Sequence, residues 1–320
     1  MRARALSTAV PLHEGKAFSA SVHGSRVSMT KDAKGVVTLM LRRPEKMNAL
    51  DMPMFVAIAD AARELIPQRD VRAVIVHGEG RAFCAGLDVK SVMSPATAAA
   101  NMRKLLERPH GEVSNLAQDV GYLWRRIAAP VIAVTHGVCL GGGFQIALGA
   151  DMRISAPRCK FSVMEAKWGL IPDMSATLSL PELVPKDVAM ELTMTGRVFQ
   201  AEEALRLGLV TTIAEDPLAE ARRLADDITA RSPDSTAAAK RLLHAAYASA
   251  DDGRRLHLET ELQRKLLGGW NQLACAAKGL GAPSMLQPGF INRNASWSEE
   301  EELDAETEIA AMLHGESAAA

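Results

Sequence analysis

Short apolar runs of strand length alternate with stretches whose apolar residues recur every three or four positions. VVTLMLRR (36–43), VRAVIVHG (71–78) and PVIAVTHG (130–137) are β-branched and apolar. Continuous runs of this kind suit strands buried on both faces. Pro44 ends the first run, and Gly78 and Gly137 close the other two. From Asp51 the period changes to that of a helix: Asp51 can cap it, Pro53 suits an early position, and Phe55, Ile58, Ala62 and Leu65 form one stripe. Residues 95–126 read as helical, and LGGGFQIALGAD (140–151) passes through three glycines into another helix. MRISA (152–156) and KFSV (160–163) read as short strands. After Pro172 nearly everything reads as helix, including 185–196, 201–210, 217–231 and 254–267, the last with Leu256, Leu262 and Leu266 on a partly shared face. Alternation up to about residue 165, then helices, predicts an α/β layer with a helical C-terminal portion.

The two ends differ from this pattern. Residues 1–34 are small, polar and basic, and read as mostly unstructured or as a first short strand. MRARALSTAVPLH carries Arg2 and Arg4 and no acid before Glu14, which fits a mitochondrial transit peptide or a disordered extension of a cytoplasmic bacterial protein. Beyond Gly268, glycine and proline punctuation leads into the acidic SEEEELDAETEIAAMLHG, a helix candidate opened by Ser298. No apolar run approaches the ~20 residues of a membrane helix.

Composition narrows the chemistry. With 320 residues, 48% of them hydrophobic, the chain can bury a large core. A net charge of -1 gives no field favouring nucleic acid or an anionic membrane. Cys84, Cys139, Cys159 and Cys275 lack metal-ligand or redox spacing and read as buried thiols of a reducing compartment. No HxxxH or Cys/His cluster points to a metal, and no serine-nucleophile elbow is present. Of His77, His110 and His136, the last stands at a strand exit where it could be mistaken for a base, and it is better read as a packed structural histidine.

Four segments, in order, resemble the enoyl-CoA hydratase/isomerase (crotonase) superfamily: LRRPEKMNALD (41–51), GRAFCAGLDV (80–89), APVIAVTHGVCLGGGFQIALGADMRIS (129–155) and FSVMEAKWGLIPDMSATLSLP (161–181). The resemblance covers roughly residues 35–268. It implies a crotonase-like spiral of repeated ββα turns with a helical C-terminal trimerisation region. The expected organisation is a poorly ordered extension at 1–34, a core with the CoA and active sites at 35–200, a trimerisation region at 201–268, and an extension with an acidic helix at 269–320. The implied partner is an acyl-CoA substrate, with no cofactor beyond the coenzyme A it carries, in a homotrimer or homohexamer.

Forming an enolate beside a thioester places negative charge on the carbonyl oxygen, and preorganised N–H donors there can be worth about 3–4 kcal/mol each. The resemblance makes these donors the backbone N–H groups of Leu87 and Gly142; the plainer role of the glycines, Gly141 included, is tight strand–helix packing. Asp88 reads as a helix cap sooner than a ligand contact. Lys46 and Lys90 fit either CoA phosphates or open solvent, and the carbonyls around Met47 and Ala85 are candidates for the adenine amino group.

The two-glutamate hydratase pattern places one glutamate after the triple glycine and another further on. Here Gln145 takes the first position and Glu165 the second. Glutamine does not exchange a proton near neutral pH, although it can orient water or substrate. Asp173 supplies a second acid, where the dienoyl-CoA isomerase branch also has an aspartate. A CoA dehalogenase branch uses an aspartate at that position too, but with an aromatic residue in place of Glu165. The favoured expectation is therefore double-bond isomerisation, with Glu165 as principal base and acid and Asp173 as partner. The alternatives are syn-hydration of a 2-enoyl-CoA, with Gln145 holding the water, and acyl-CoA binding without turnover. The plainer roles are a surface carboxylate for Glu165 and a turn or cap for Asp173.

Overall fold

In a computed structural model, residues 25–294 are described. Residues 1–24 of the extension expected at 1–34, and the acidic helix expected after Ser298, lie outside them. Val27–Lys31 of that extension is not poorly ordered but a strand paired with the next one. The elements in order are β1 (Val27–Lys31), β2 (Val36–Leu41), α1 (Met52–Leu65), β3 (Ala73–Gly78), α2 (Val89–Val92), α3 (Ala98–Leu106), α4 (Leu116–Arg126), β4 (Val131–Thr135), β5 (Val138–Leu140), α5 (Gly142–Gly149), β6 (Met152–Ser155) and β7 (Lys160–Ser162). Then come α6 (Ala176–Leu183), α7 (Lys186–Thr195), β8 (Phe199–Gln200), α8 (Ala201–Arg206), β9 (Thr212–Ile213), α9 (Pro217–Thr229), α10 (Pro233–Ala248), α11 (Asp252–Leu266) and α12 (Trp270–Gly279). Single 3-10 turns at Pro44–Lys46 and Met164–Trp168 carry site residues. Among the described residues no helix is long and apolar enough to cross a membrane.

One sheet runs β1-β2-β3-β4-β6-β9, with only the β1–β2 pair antiparallel; a smaller sheet runs β5-β7-β8. The unbroken apolar runs are explained by burial of both faces. Leu39, Leu41, Val74, Val76, Val131 and Ala133 face the main core with Phe55, Ile58 and Leu65 of α1. The intervening Val36, Ala73, Ile75, Ile132 and Val134 face Ala221 and Ala225 of α9. This is the predicted α/β layer.

Two compact units are distinguished, with the division between Thr229 and Ala230. That is later than the boundary expected at residue 200. The segment between belongs to the sheet unit because β9 pairs with β6 and α9 covers the sheet's second face. A break at residue 268 is not found either. In the second unit, Asn271 of α12 is buried, receiving the Ile291 N–H at 2.9 Å and donating to Asp234 at 2.7 Å. The inward face of α11 is Leu258, Leu262 and Leu266 against Ala238 and Leu242 of α10. These follow the four-residue step of a helix; Leu256 is off that step and exposed.

Candidate active site

The loop at 41–51 is held against the loop at 78–88 by one residue the sequence reading missed. Asn48 is buried in a left-handed conformation at φ 54°. Its side-chain oxygen accepts the Arg43 N–H at 2.8 Å, and its amide nitrogen donates to the carbonyls of Glu79, Ala82 and Phe83 at 3.0, 2.8 and 3.1 Å. An asparagine ahead of a capped helix was the available signal, since asparagine tolerates this backbone region and can satisfy several backbone groups at once.

Beside it the loops pair as short extended segments. Ala85 N–H donates to Met47 O at 2.9 Å, Leu50 N–H to Gly86 O at 2.8 Å, and Asp88 N–H to Leu50 O at 3.0 Å. The Met47 carbonyl, a candidate for adenine, thus already accepts one bond. Asp88 caps α2 as expected, accepting the Ser91 N–H at 3.2 Å, and also takes Arg43 Nη2 at 2.8 Å. Burial resists its ionisation, but Arg43, the Ser91 N–H and nearby Lys46 outweigh it, so its carboxyl stays below the ordinary range. Lys46 and Lys90 are exposed on the rim of these loops.

Leu87 lies between the two groups that bond Leu50, so alternation turns its own N–H to the opposite side. On that side the chain at 140–142 approaches closely. A β-carbon at Gly86, whose φ is +89°, would sit 2.8 Å from Leu140 O and 3.7 Å from Gly142 N. Only glycine permits this approach. Gly142 begins α5, whose first internal bond is Gln145 N–H to Gly141 O at 3.0 Å; its N–H therefore belongs to the unpaired first turn. The rings of Phe144, Phe161 and Phe199, 5.3–5.9 Å apart, fasten α5 to β7 and β8.

Three expected residues meet at the start of α5. Gln145 is only 1% exposed. Its Nε2 donates to Glu165 Oε1 at 2.7 Å, and its Oε1 accepts the Met174 N–H at 2.8 Å. Glu165 Oε2 is buried and makes no hydrogen bond among the described residues. Gly141 lies beneath the carboxyl: at φ +50°, a β-carbon there would fall 3.3 Å from Glu165 Oε1. Burial, reinforced by the neighbouring charge of Asp173, raises the Glu165 carboxyl above its ordinary value of 4.5 despite the bond from Gln145. Asp173 is open to solvent, and partial desolvation moves its carboxyl upward too. Such carboxyls can carry a proton nearer neutrality than free ones.

The other titratable candidates lie elsewhere. His136 Nε2 pairs with Gly80 O at 3.0 Å and His77 Nδ1 with Gly78 O at 3.3 Å, while His110 is exposed. Cys84 and Cys159 are buried, with thiols pushed up to about 12, so they stay protonated. No group of His, Cys, Asp and Glu among the described residues could hold a metal ion.

A family model described as enoyl-CoA hydratase/isomerase matches residues 31–269. A protein of Mycobacterium tuberculosis named probable enoyl-CoA hydratase is 34% identical over 221 residues, 68% of this chain and 79% of that one. The 1,2-epoxyphenylacetyl-CoA isomerase of Escherichia coli is 32% identical over 235 residues, 72% and 86% of the two chains. The crystal structure of an enoyl-CoA hydratase of Mycobacterium smegmatis superposes with a TM-score of 0.70 at 26% identity, covering 80% of this chain and 96% of that one.

Proposed function

The chain belongs to the enoyl-CoA hydratase/isomerase family, and from that premise we propose that it shifts a double bond in an enoyl- or dienoyl-CoA through a thioester dienolate. The observation that carries this reading is Glu165: one carboxylate oxygen is held by an amide and the other is buried without a partner. In a 3-enoyl-CoA, Oε2 takes a proton from C2, and the electron pair spreads onto the thioester oxygen. The N–H groups of Leu87 and Gly142 stabilise that oxygen. Return of the proton at C4 leaves the 2-enoyl isomer, so atoms and charge balance with no cofactor beyond the substrate's own coenzyme A. Asp173, whose charge acts on Glu165, is the second proton-transfer group. Lys46, Lys90 and the carbonyls of Met47 and Ala85 serve the coenzyme A portion.

A second reading, syn-hydration of a 2-enoyl-CoA, draws support from the hydratase names among the relatives. Glu165 would then activate the water, with the second N–H of Gln145 left to orient it, since the carbonyl end and one N–H of Gln145 are committed to protein groups. Incubation with 2-enoyl-, 3-enoyl- and 3,5-dienoyl-CoA separates the two. Isomerisation is expected; hydration with no isomerisation overturns it.

We further read the protein as a homotrimer or homohexamer, a reading supported by the apolar side chains exposed on the second unit.

A further inference from the structure

We infer that Gln145 is a positioning residue that fixes which oxygen of Glu165 carries the proton. The argument rests on donor direction and on the reading of Glu165 as the proton-transfer group. The Met174 N–H can only donate, so the Gln145 amide must turn its oxygen to Met174 and its nitrogen to Glu165. Glu165 Oε1 then has to accept. A proton held by the carboxyl is thereby confined to Oε2, the buried oxygen with no bonding partner in the described structure.

The local fold makes this possible. Gln145 stands one turn after Gly141 on α5, with its N–H bonded to Gly141 O. The absence of a side chain at Gly141 lets Oε1 come close to that same turn. Because Met174 follows Asp173, the amide also fixes the backbone that presents the second carboxyl. One side chain thus registers both acids. A carboxylate at position 145 could not do this: with one oxygen on the Met174 N–H, the other would repel ionised Glu165 or need a proton of its own.

Two substitutions test the inference. Gln145→Met keeps length and volume but removes both bonds. Its kcat should fall about 10- to 100-fold with KM for the acyl-CoA within about threefold. The acid limb of its pH profile should move up, because a donor to ionised Glu165 is gone. Asp173 is the charged group acting on Glu165 in both proteins, so it does not reverse that sign. Gln145→Glu keeps the shape and the Met174 bond, but the new carboxyl must be protonated to face Glu165. Its activity should be confined to the range in which the two carboxyls share one proton and should fall as pH rises beyond it, a basic limb that Gln145→Met lacks. Folding of each variant is checked by its thermal midpoint.

Solvent deuterium exchange at C2 of butyryl-CoA reports proton abstraction alone, whichever reaction the enzyme completes. Exchange lost in Glu165→Gln, together with an exchange rate and pH profile in Gln145→Met equal to the native protein's, overturns the positioning role and leaves the Glu165 reading standing. Exchange that persists in Glu165→Gln, or is absent from the native protein, overturns the reading beneath it. Matching pH profiles for the two Gln145 variants would also overturn the inference.

Discussion

A group that must take and return a proton works best when its affinity lies near the working pH, and burial moves Glu165 that way. Glu165→Gln preserves shape and hydrogen bonding while removing exchangeable acidity. Turnover should fall at least about 10²-fold, whereas coenzyme A thioester binding should stay within a few-fold because the Leu87 and Gly142 N–H groups are backbone. Stopped-time turnover and isothermal titration check the two halves; near-full activity would shift attention to Asp173. The pH dependence has a definite sign. Glu165 must be ionised to accept a proton, so kcat/KM should decline as pH falls through a value above 4.5. Asp173→Asn removes a negative neighbour that raises Glu165, and should move that limb downward. Since Asp173 is exposed, the displacement should shrink as salt is added. Gln145, Glu165 and Asp173 could be singled out as candidates in the sequence because residue type and order carry that much. The bridge from Gln145 to Glu165 and the Met174 N–H was not legible, because it depends on where α5 and the chain at 165 and 174 meet in space. Asn48 was missed for the same reason: three of its bonds reach carbonyls 31–35 residues away.

At the scale of elements, local rules worked where helices are long and strands fill both faces of the sheet. The cap and proline at the start of α1 predicted a helix there, and Asp51 accepts the Met54 N–H at 2.9 Å. They did not foretell that Asp51 also binds Arg26 Nη2 at 2.8 Å and lies 3.4 Å from Arg43 Nε. Arg43 in turn holds Asp88, so the cap supports the loop that carries Leu87. Asp51→Ala should therefore cost more than an ordinary cap, about 1–3 kcal/mol, by removing the cap and the ion pairs to Arg26 and Arg43, although Arg43 keeps Asp88. Urea unfolding measures this, and Asp51→Asn should recover part of the loss by keeping the cap. A loss under about 0.5 kcal/mol in the alanine variant would show that the ion pairs contribute nothing. The strands β8 and β9 escaped prediction because each is two residues long, too short for any period to register. Their existence is decided by neighbours: β8 by pairing with β7, β9 by the open edge of β6.

For the molecule as a whole, the α/β layer and the helices after it were legible, but the division of the chain was not. A helix that covers a sheet and one that packs on other helices both show a three-to-four residue period, so α9 and α10 look alike in sequence. The second unit is also where apolar surface collects. Of the 21 large hydrophobic residues exposed among the described ones, ten lie between 243 and 291. Single exposed apolar side chains are ordinary, and a concentration of them makes this unit the place to test for association. Tyr247 near the end of α10 and Leu256 near the start of α11 are 68% and 61% exposed, and neither contributes to the core that α10 and α11 share. If copies of the chain associate through this surface, introducing charge at both positions opposes assembly without disturbing the internal core. Light scattering at micromolar concentration should give a trimer or hexamer for the native chain and a smaller species for the Tyr247→Glu, Leu256→Glu double variant. The thermal midpoint of the native chain should rise with protein concentration, as association requires, and that dependence should weaken in the variant. A native chain that scatters as a stable monomer would defeat the oligomer. Native-size assembly by the variant, with its full concentration dependence, would place the contact on another surface.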